Sequence, residues 1–262
     1  MLKLNLIYED DQILVICKPV GWVVNRAKTV KGETVQDWMR ERMGWEEPNR
    51  KQIWGDESWD WEDYFKERMG IVHRLDKETS GVLVLAKTTE AFKNLVEQFK
   101  YRKVKKEYLA LTHGSWKSRE GVINLPLGRL RYDFRKVGVQ VGGRVSQTEY
   151  RVVEEFRDWR LPDEVDEFKY QSFSLVKFKP STGRTHQIRV HAKHVGHPVV
   201  GDLVYGGKKL AKEDRKWTGR MMLHAAKLSL RHPVIGEELE FSCRAEDFEM
   251  VMREVFLLPK VM

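Results

Sequence analysis

The stretch Gly70-Ile-Val-His-Arg-Leu-Asp-Lys-Glu-Thr-Ser-Gly81 sets one carboxylate, Asp76, between Arg74 and Lys77, just before an apolar run. A carboxylate held at the end of a rigid strand suits a nucleophile or a base. Thr79, Ser80 and Gly81 supply hydroxyls and backbone freedom to close the turn. Taken alone, an aspartate here is more often a turn or ion-pair residue. A second stretch, Lys100 to Lys106, carries five basic residues in seven (Lys100, Arg102, Lys103, Lys105 and Lys106) and is followed by Glu107-Tyr108. Cations at this density hold phosphates, and a ring beside them stacks on an exposed base. A solvated helix end would carry the same cations, and Tyr108 would equally serve a strand's core. A third stretch, Lys179-Pro-Ser-Thr-Gly-Arg-Thr-His-Gln-Ile-Arg-Val-His-Ala-Lys-His-Val-Gly-His197, brings Gly183 and Arg184 to an expected helix start, where free N–H groups bind anions. Arg189 follows five residues after Arg184. His186, His191, His194 and His197 have metal-ligand chemistry, but no acidic ligand follows until Asp202. Neutral, hydrogen-bonding histidines in a basic cleft are expected, and no metal.

Strands and helices must position these groups. Residues 12–17 and 81–86 are short apolar runs bounded by turn residues, the pattern of buried strands. Thr34 is placed to cap a helix bearing Val35, Trp38, Met39 and Met43 on one face. Thr89 is placed to cap another, with Ala91, Phe92, Leu95, Val96 and Phe99 inward. Residues 107–113, 147–153 and 172–179 read as strands. Arg184 to Val195 reads as a helix with Ile188, Ala192 and Val195 inward. Residues 224–230 and 237–242 form an expected hairpin, and a last helix from Ala245 presents Phe248, Val251, Met252, Val255 and Phe256. Strands in runs as well as in alternation with helices predict an α+β fold, a mixed and largely antiparallel sheet flanked by helices. There is no GxGxxG after the first strand and no Walker A pattern, which argues against a nucleotide cofactor.

The chain has 262 residues and a formal charge of +8, which points toward a polyanionic partner. An apolar fraction of 41% excludes wholesale disorder, and no apolar run reaches the roughly 18–20 residues of a membrane helix. The N-terminus turns acidic at Glu9-Asp10-Asp11, unlike a signal or transit peptide, which places the protein in the cytoplasm. Cys17 and Cys243 sit in apolar strand-like contexts and read as buried free thiols. Residues 41–69 hold Trp45, Trp54, Trp59 and Trp61 with nine acidic and five basic residues, and read as an inserted segment. Its tryptophans make a local core, or its surface touches the partner and shapes substrate choice. The charge is thus uneven, acidic in the insertion and basic from Lys100 to Lys106.

HRLDKETSG, then KEYLAL, then GRTHQIRVH followed by GHPVVGDLVYGG, resembles the RluA-type RNA pseudouridine synthases, as do YEDDQILVICKPVGW and LHAAKLSLRHP. The resemblance runs from about residue 6 to residue 245, interrupted at 41–69. It implies a pseudouridine synthase catalytic fold over residues 1–262 as a single domain; departing from the common pattern, no small N-terminal RNA-binding module of the kind many relatives carry is expected. It implies isomerisation of uridine to pseudouridine in ribosomal or transfer RNA, without cofactor, by a monomer. The family's catalytic aspartate falls on Asp76, its active-site tyrosine on Tyr108, and the basic residue that pairs with the aspartate on Arg189. Arg74 falls on the residue that helps hold the flipped nucleotide. Lys77, Lys100, Arg102, Lys103, Lys105, Lys106, Arg184 and His186 are the further candidates for RNA contact. The target base must leave its stack, at a cost of a few kcal/mol that phosphate contacts and stacking offset. Asp76 then attacks the uracil ring, attacks the sugar, or promotes glycal formation, and Tyr108 covers the base and relays the proton lost by the new ring carbon.

Two rivals use the same residues differently. A non-catalytic RNA-binding protein would need the basic runs but not Asp76, Tyr108 and Arg189 together. A glycoside-cleaving hydrolase would want two carboxylates roughly 5–10 Å apart, and Glu78 is the neighbour that Asp76 offers.

Overall fold

The computed structural model describes residues 4–47, 60–131, 133–167 and 170–256. They fall into two compact units, the first from residues up to 105 with 227–243, the second from 106–226 with the residues after 243.

In the first unit, β1 (Asn5–Glu9), β2 (Ile13–Lys18) and β3 (Ser80–Ala86) pair antiparallel in that order. Asp10 makes the β1–β2 turn: its carboxylate accepts from the Gln12 and Ile13 N–H groups at 2.8 Å and from the Tyr8 hydroxyl at 2.7 Å. Helix α1 (Val35–Met43) starts at Thr34 as expected, closed by a reciprocal capping box with Asp37. Helix α2 (Trp61–Arg68) follows the Asp60 cap. Helix α3 (Thr89–Lys100) is capped one residue earlier than expected, because the Thr88 hydroxyl, not that of Thr89, accepts from the Ala91 N–H. Phe65 of α2 and Phe92 and Leu95 of α3 bury against Val15, Val82 and Val84 of the strands. The hairpin expected near the C-terminus is present, with β10 (Leu223–Arg231) and β11 (Glu238–Ser242) antiparallel; Leu228, Leu230 and Phe241 join the same core.

Of the Trp-rich segment, Trp54 and Trp59 lie outside the described residues. Trp45 and Trp61 are described, and they join this main core instead of building their own: Trp45 meets Phe65 edge-on at 5.1 Å and Trp61 meets Phe92 at 6.4 Å.

The expectation of two free thiols is overturned. Cys17 and Cys243 form a disulfide with Cα atoms 5.9 Å apart, joining the end region of β2 to the residue after β11. Nothing local signals this pairing, because the partners are 226 residues apart and only strand packing brings them together. Closing so long a loop stabilises by up to about 5 kcal/mol through the unfolded chain's entropy. Dithiothreitol is therefore expected to lower the melting temperature of the wild type and to leave that of Cys17→Ser/Cys243→Ser unchanged, as read by calorimetry. Disulfides are rare in reducing compartments, so the result also bears on where the chain works.

In the second unit, β4 (Lys105–His113), β9 (Phe173–Pro180), β8 (Gln147–Phe156) and β5 (Glu120–Asn124) pair antiparallel in that spatial order. A separate hairpin pairs β6 (Leu127–Leu130) with β7 (Asp133–Val139). Helix α4 (Gln187–His194) buries Ile188 and Ala192 against Ala110, Val152, Val176 and Phe178. Helix α5 (Lys208–Thr218) and helix α6 (Glu246–Phe256) pack in a second core with Leu111, Phe156 and Phe173. The inward face expected for α6 is the observed one.

Val152 and Phe156 have the same parity on β8 yet serve different cores. The register against β9 shifts between Val152 and Glu154, and one extra residue turns every later side chain to the opposite face. The observed fold is the expected α+β arrangement with mostly antiparallel strands.

Candidate active site

Asp76 lies in the first unit, half-buried, in the turn that leads into β3. Its carbonyl accepts from the Thr79 N–H at 3.1 Å, closing the turn, while Leu75 on one side is 5% exposed and Thr79 and Ser80 are buried. The segment is anchored at several points. Gly70 has φ +71°, and a Cβ there would strike the carbonyl oxygen of Ala86; the Ala86 N–H donates to the Gly70 carbonyl at 2.9 Å. Only glycine allows that approach. The His73 Nε2 accepts from the Val84 N–H at 3.1 Å, and the ring stacks on Phe99 at 4.5 Å. On the other side, the fully buried Lys18 donates through Nζ to the carbonyls of Pro19 (2.8 Å), Trp22 (2.9 Å) and Lys77 (3.3 Å). The Gly21 N–H also donates to the Lys77 carbonyl, at 2.9 Å. A buried ammonium thus ties residues 18–22 to the peptide next to Asp76. The sequence signal for Lys18 is a lysine closing an apolar strand, in Cys-Lys-Pro. Arg74 and Lys77 are exposed beside Asp76.

Arg189, Tyr108, Arg184 and His186 lie in the second unit. Arg189 is 5% exposed, and its guanidinium grips Asp202 in a two-pronged pair: Nε to Oδ2 at 2.7 Å and Nη2 to Oδ1 at 2.8 Å. Asp202 Oδ1 also accepts from the Val204 and Tyr205 N–H groups at 2.9 and 3.1 Å. Burial pushes the Asp202 carboxyl up, but the Arg189 hydrogen bonds and charge, with the two N–H groups, outweigh it and hold it below the usual carboxylate range. The Arg189 guanidinium also lies over the Tyr205 ring at 5.1 Å, and the Tyr205 hydroxyl meets His186 Nδ1 at 2.8 Å. Arg189, Asp202, Tyr205 and His186 are therefore one cluster. Asp202 and Tyr205 both lie in GHPVVGDLVYGG, and only their folded positions show that they serve Arg189.

His186 adopts a left-handed backbone (φ 55°), so α4 starts at Gln187, three residues later than expected. Val195, expected inward, is exposed, because the helix has ended. Of the four histidines expected to be hydrogen-bonded here, His186, His191 and His197 have ring partners, while His194 is exposed. His191 is fully buried, with Nδ1 2.9 Å from the Thr148 hydroxyl and Nε2 3.2 Å from the Leu125 carbonyl; burial holds its pKa down. His197 Nδ1 lies 3.0 Å from the His113 carbonyl, and its ring stacks on Trp116. Among the described residues no group of histidine, cysteine and carboxylate side chains could hold a metal ion.

Tyr108 sits on β4 opposite Phe178 of β9, half-buried against the core beneath α4. It is both a packing residue and a partly accessible ring. Lys106 Nζ donates to the Thr182 carbonyl at 3.2 Å, at the start of the loop carrying Gly183 and Arg184. Lys100, Arg102, Lys103 and Lys105 are exposed at and after the end of α3 in the first unit.

The family described as RNA pseudouridylate synthase matches residues 12–194. A protein of Aquifex aeolicus, described as an uncharacterized RNA pseudouridine synthase, is 37% identical over 243 residues, which cover 92% of this chain and 69% of that one. Ribosomal large subunit pseudouridine synthase D of Pseudomonas aeruginosa is 36% identical over 94% of this chain and 70% of its own. The solved structure of human RNA pseudouridylate synthase domain containing 1 aligns with a TM-score of 0.67 and 29% identity, over 95% of this chain and 87% of that one. The chain spans about two thirds of the length of these curated relatives, 69% and 70%. It belongs to the RNA pseudouridylate synthase family, of the RluA type. The family's reaction is the isomerisation of uridine in RNA to pseudouridine.

Proposed function

We propose that this chain isomerises a specific uridine of structured RNA to pseudouridine, with Asp76 as the catalytic carboxylate, Tyr108 covering the base and Arg189 as the carboxylate's cationic partner. The observation that carries this reading is the Asp76 turn itself. It presents one carboxylate at the mouth of β3, between exposed Arg74 and Lys77, on a segment locked by Gly70, His73 and Lys18. A group so fixed meets the need for a nucleophile that does not wander while the uracil is detached and turned over. The cations from Lys100 to Lys106, with Arg184 and His186, serve the RNA. The names of the relatives direct the choice of RNA to the large ribosomal subunit. The protein works as a monomer in the cytoplasm; among the described residues no helix is long and apolar enough to cross a membrane.

The test is incubation of the purified chain with an unmodified large-subunit ribosomal RNA transcript, followed by pseudouridine mapping. Modification of one or a few discrete uridines is expected, with binding that weakens steeply as salt rises because phosphate contacts release counterions. Binding without modification would favour the non-catalytic RNA-binding reading, and release of free uracil would favour a hydrolase.

A further inference from the structure

Helix α5 carries an acid and a base side by side, Asp214 and Arg215, and both turn back on one residue, Gly201. The Asp214 Oδ2 accepts from the Gly201 N–H at 2.9 Å, and the Arg215 Nε donates to the Gly201 carbonyl at 2.7 Å. Both hydrogen-bonding groups of a single backbone residue are thus held by consecutive side chains of one helix. Gly201 has φ +75°, and a Cβ there would lie 2.4 Å from the Arg220 carbonyl oxygen, an approach that only glycine allows. Asp214 is fully buried, and its Oδ2 also lies 3.0 Å from the His113 Nε2. A buried carboxylate is unfavourable unless its oxygens are well used. An apolar side chain would serve the packing of α5 equally well, since its neighbours Ala211 and Trp217 are buried. Asp214 is therefore placed for its bonds.

Gly201 is the point at which the chain turns into Asp202. Just before it, the Val200 N–H donates to the Leu111 carbonyl of β4 at 2.9 Å, and the Val200 carbonyl accepts from the Met222 N–H at 2.9 Å. Just after it, the Asp202 N–H donates to the Val199 carbonyl at 3.2 Å and the Asp202 carbonyl accepts from the Gly206 N–H at 2.8 Å, closing the turn. The carbonyl that Arg215 holds belongs to the peptide that leads into Asp202. A peptide is planar, so fixing its carbonyl fixes the direction in which the next residue leaves. Asp202 in turn receives both prongs of the Arg189 guanidinium.

We propose that Asp214 and Arg215 are positioning residues for Arg189, acting through Gly201 and the Asp202 carboxylate; the catalytic part of this inference rests on the role proposed above for Arg189. Rotation of the peptide between residues 201 and 202 would carry the Asp202 carboxylate, and the guanidinium with it. Misplacing a group of a catalytic set by about 1 Å costs up to about 100-fold in rate. The clamp touches neither RNA nor Asp76, so its effect falls on the rate of the bound complex and not on affinity.

The experiment reads the Arg189 Nε–H signal by nitrogen–proton NMR of the full chain with labelled arginine, the signal being identified by its loss in Arg189→Lys. Arg215→Met keeps the stem and removes the donor; Asp214→Leu keeps the volume and removes the acceptor. Each is expected to shift the Arg189 signal and to speed its exchange with water several-fold. Arg215→Lys still donates to the Gly201 carbonyl, and the amide oxygen of Asp214→Asn still accepts from the Gly201 N–H, so both should restore the wild-type signal. On the same preparations, kcat for pseudouridine formation on the ribosomal transcript should fall by about 10–100-fold in the methionine and leucine variants, with KM within a few fold. A wild-type Arg189 signal in Arg215→Met would overturn the proposal even if the melting temperature fell, since the clamp would then only anchor the helix. A change that Arg215→Lys does not reverse counts equally against it, as a loss of packing. Arg215 is half-exposed, so its variants carry the test if Asp214→Leu does not fold. Absence of pseudouridine in the wild type would count against the enzymatic reading, while the NMR comparison still decides whether Asp214 and Arg215 place Arg189.

Discussion

Asp76→Asn is expected to abolish pseudouridine formation, by at least about 10⁴-fold, the scale on which removing a nucleophile from a catalytic set is felt. The substitution keeps the side chain's shape and removes only its charge and its capacity to form or steer a bond to the nucleoside. The backbone bond that closes the turn, from the Thr79 N–H to the Asp76 carbonyl, is untouched by the substitution. The neighbouring anchors at Gly70, His73 and Lys18 involve backbone groups and other side chains. RNA affinity should stay within a few fold of wild type, since the phosphate-contacting cations are untouched. Single-turnover measurement on the ribosomal transcript, with a parallel binding titration, reads both quantities. Appreciable activity in Asp76→Asn would remove Asp76 from the reaction and turn attention to Glu78.

The second large effect is on stability. Asp202→Ala should destabilise by about 3–5 kcal/mol, the cost of breaking a buried ion pair from one side. The Arg189 guanidinium is nearly inaccessible to water, and it would lose both of its bonds to the Asp202 carboxylate. The Val204 and Tyr205 N–H groups would lose their acceptor as well. Asp202→Asn keeps one oxygen but points an amide N–H₂ toward a donor, so it should fall between alanine and wild type. Urea denaturation measures the difference. The pH dependence has a definite sign. Because the folded Asp202 carboxyl lies below its ordinary value, its stabilisation is complete above the unfolded aspartate pKa of about 3.9 and is lost as pH falls through the lower folded value. The gap between wild type and Asp202→Ala should therefore be flat near neutrality and close only in acid. A variant as stable as wild type at pH 7 would show that the pair contributes nothing.

These two predictions draw on different levels of information. The turn that carries Asp76 was legible in the sequence because its motif is contiguous: nine residues from His73 to Gly81 carry the carboxylate, the flanking cations and the turn that presents it. The helix at Thr34, the C-terminal hairpin and the face of α6 were equally legible, since capping and hydrophobic period are local properties of the chain. What depended on register was not. The bulge in β8 separates Val152 from Phe156 without any break in the strand's composition. The Cys17–Cys243 bond joins residues with no local relation, and it reversed the expectation of free thiols. Arg189 could be recognised from its motif, but its partner Asp202 and the Tyr205 ring beneath it required α4 and the following loop to be folded together. Sequence by itself determined the class of reaction, because the motifs that carry it are short runs of adjacent residues. Tertiary structure alone decided the disulfide and the buried ion pair, because each brings together groups that only strand register and helix packing can place side by side.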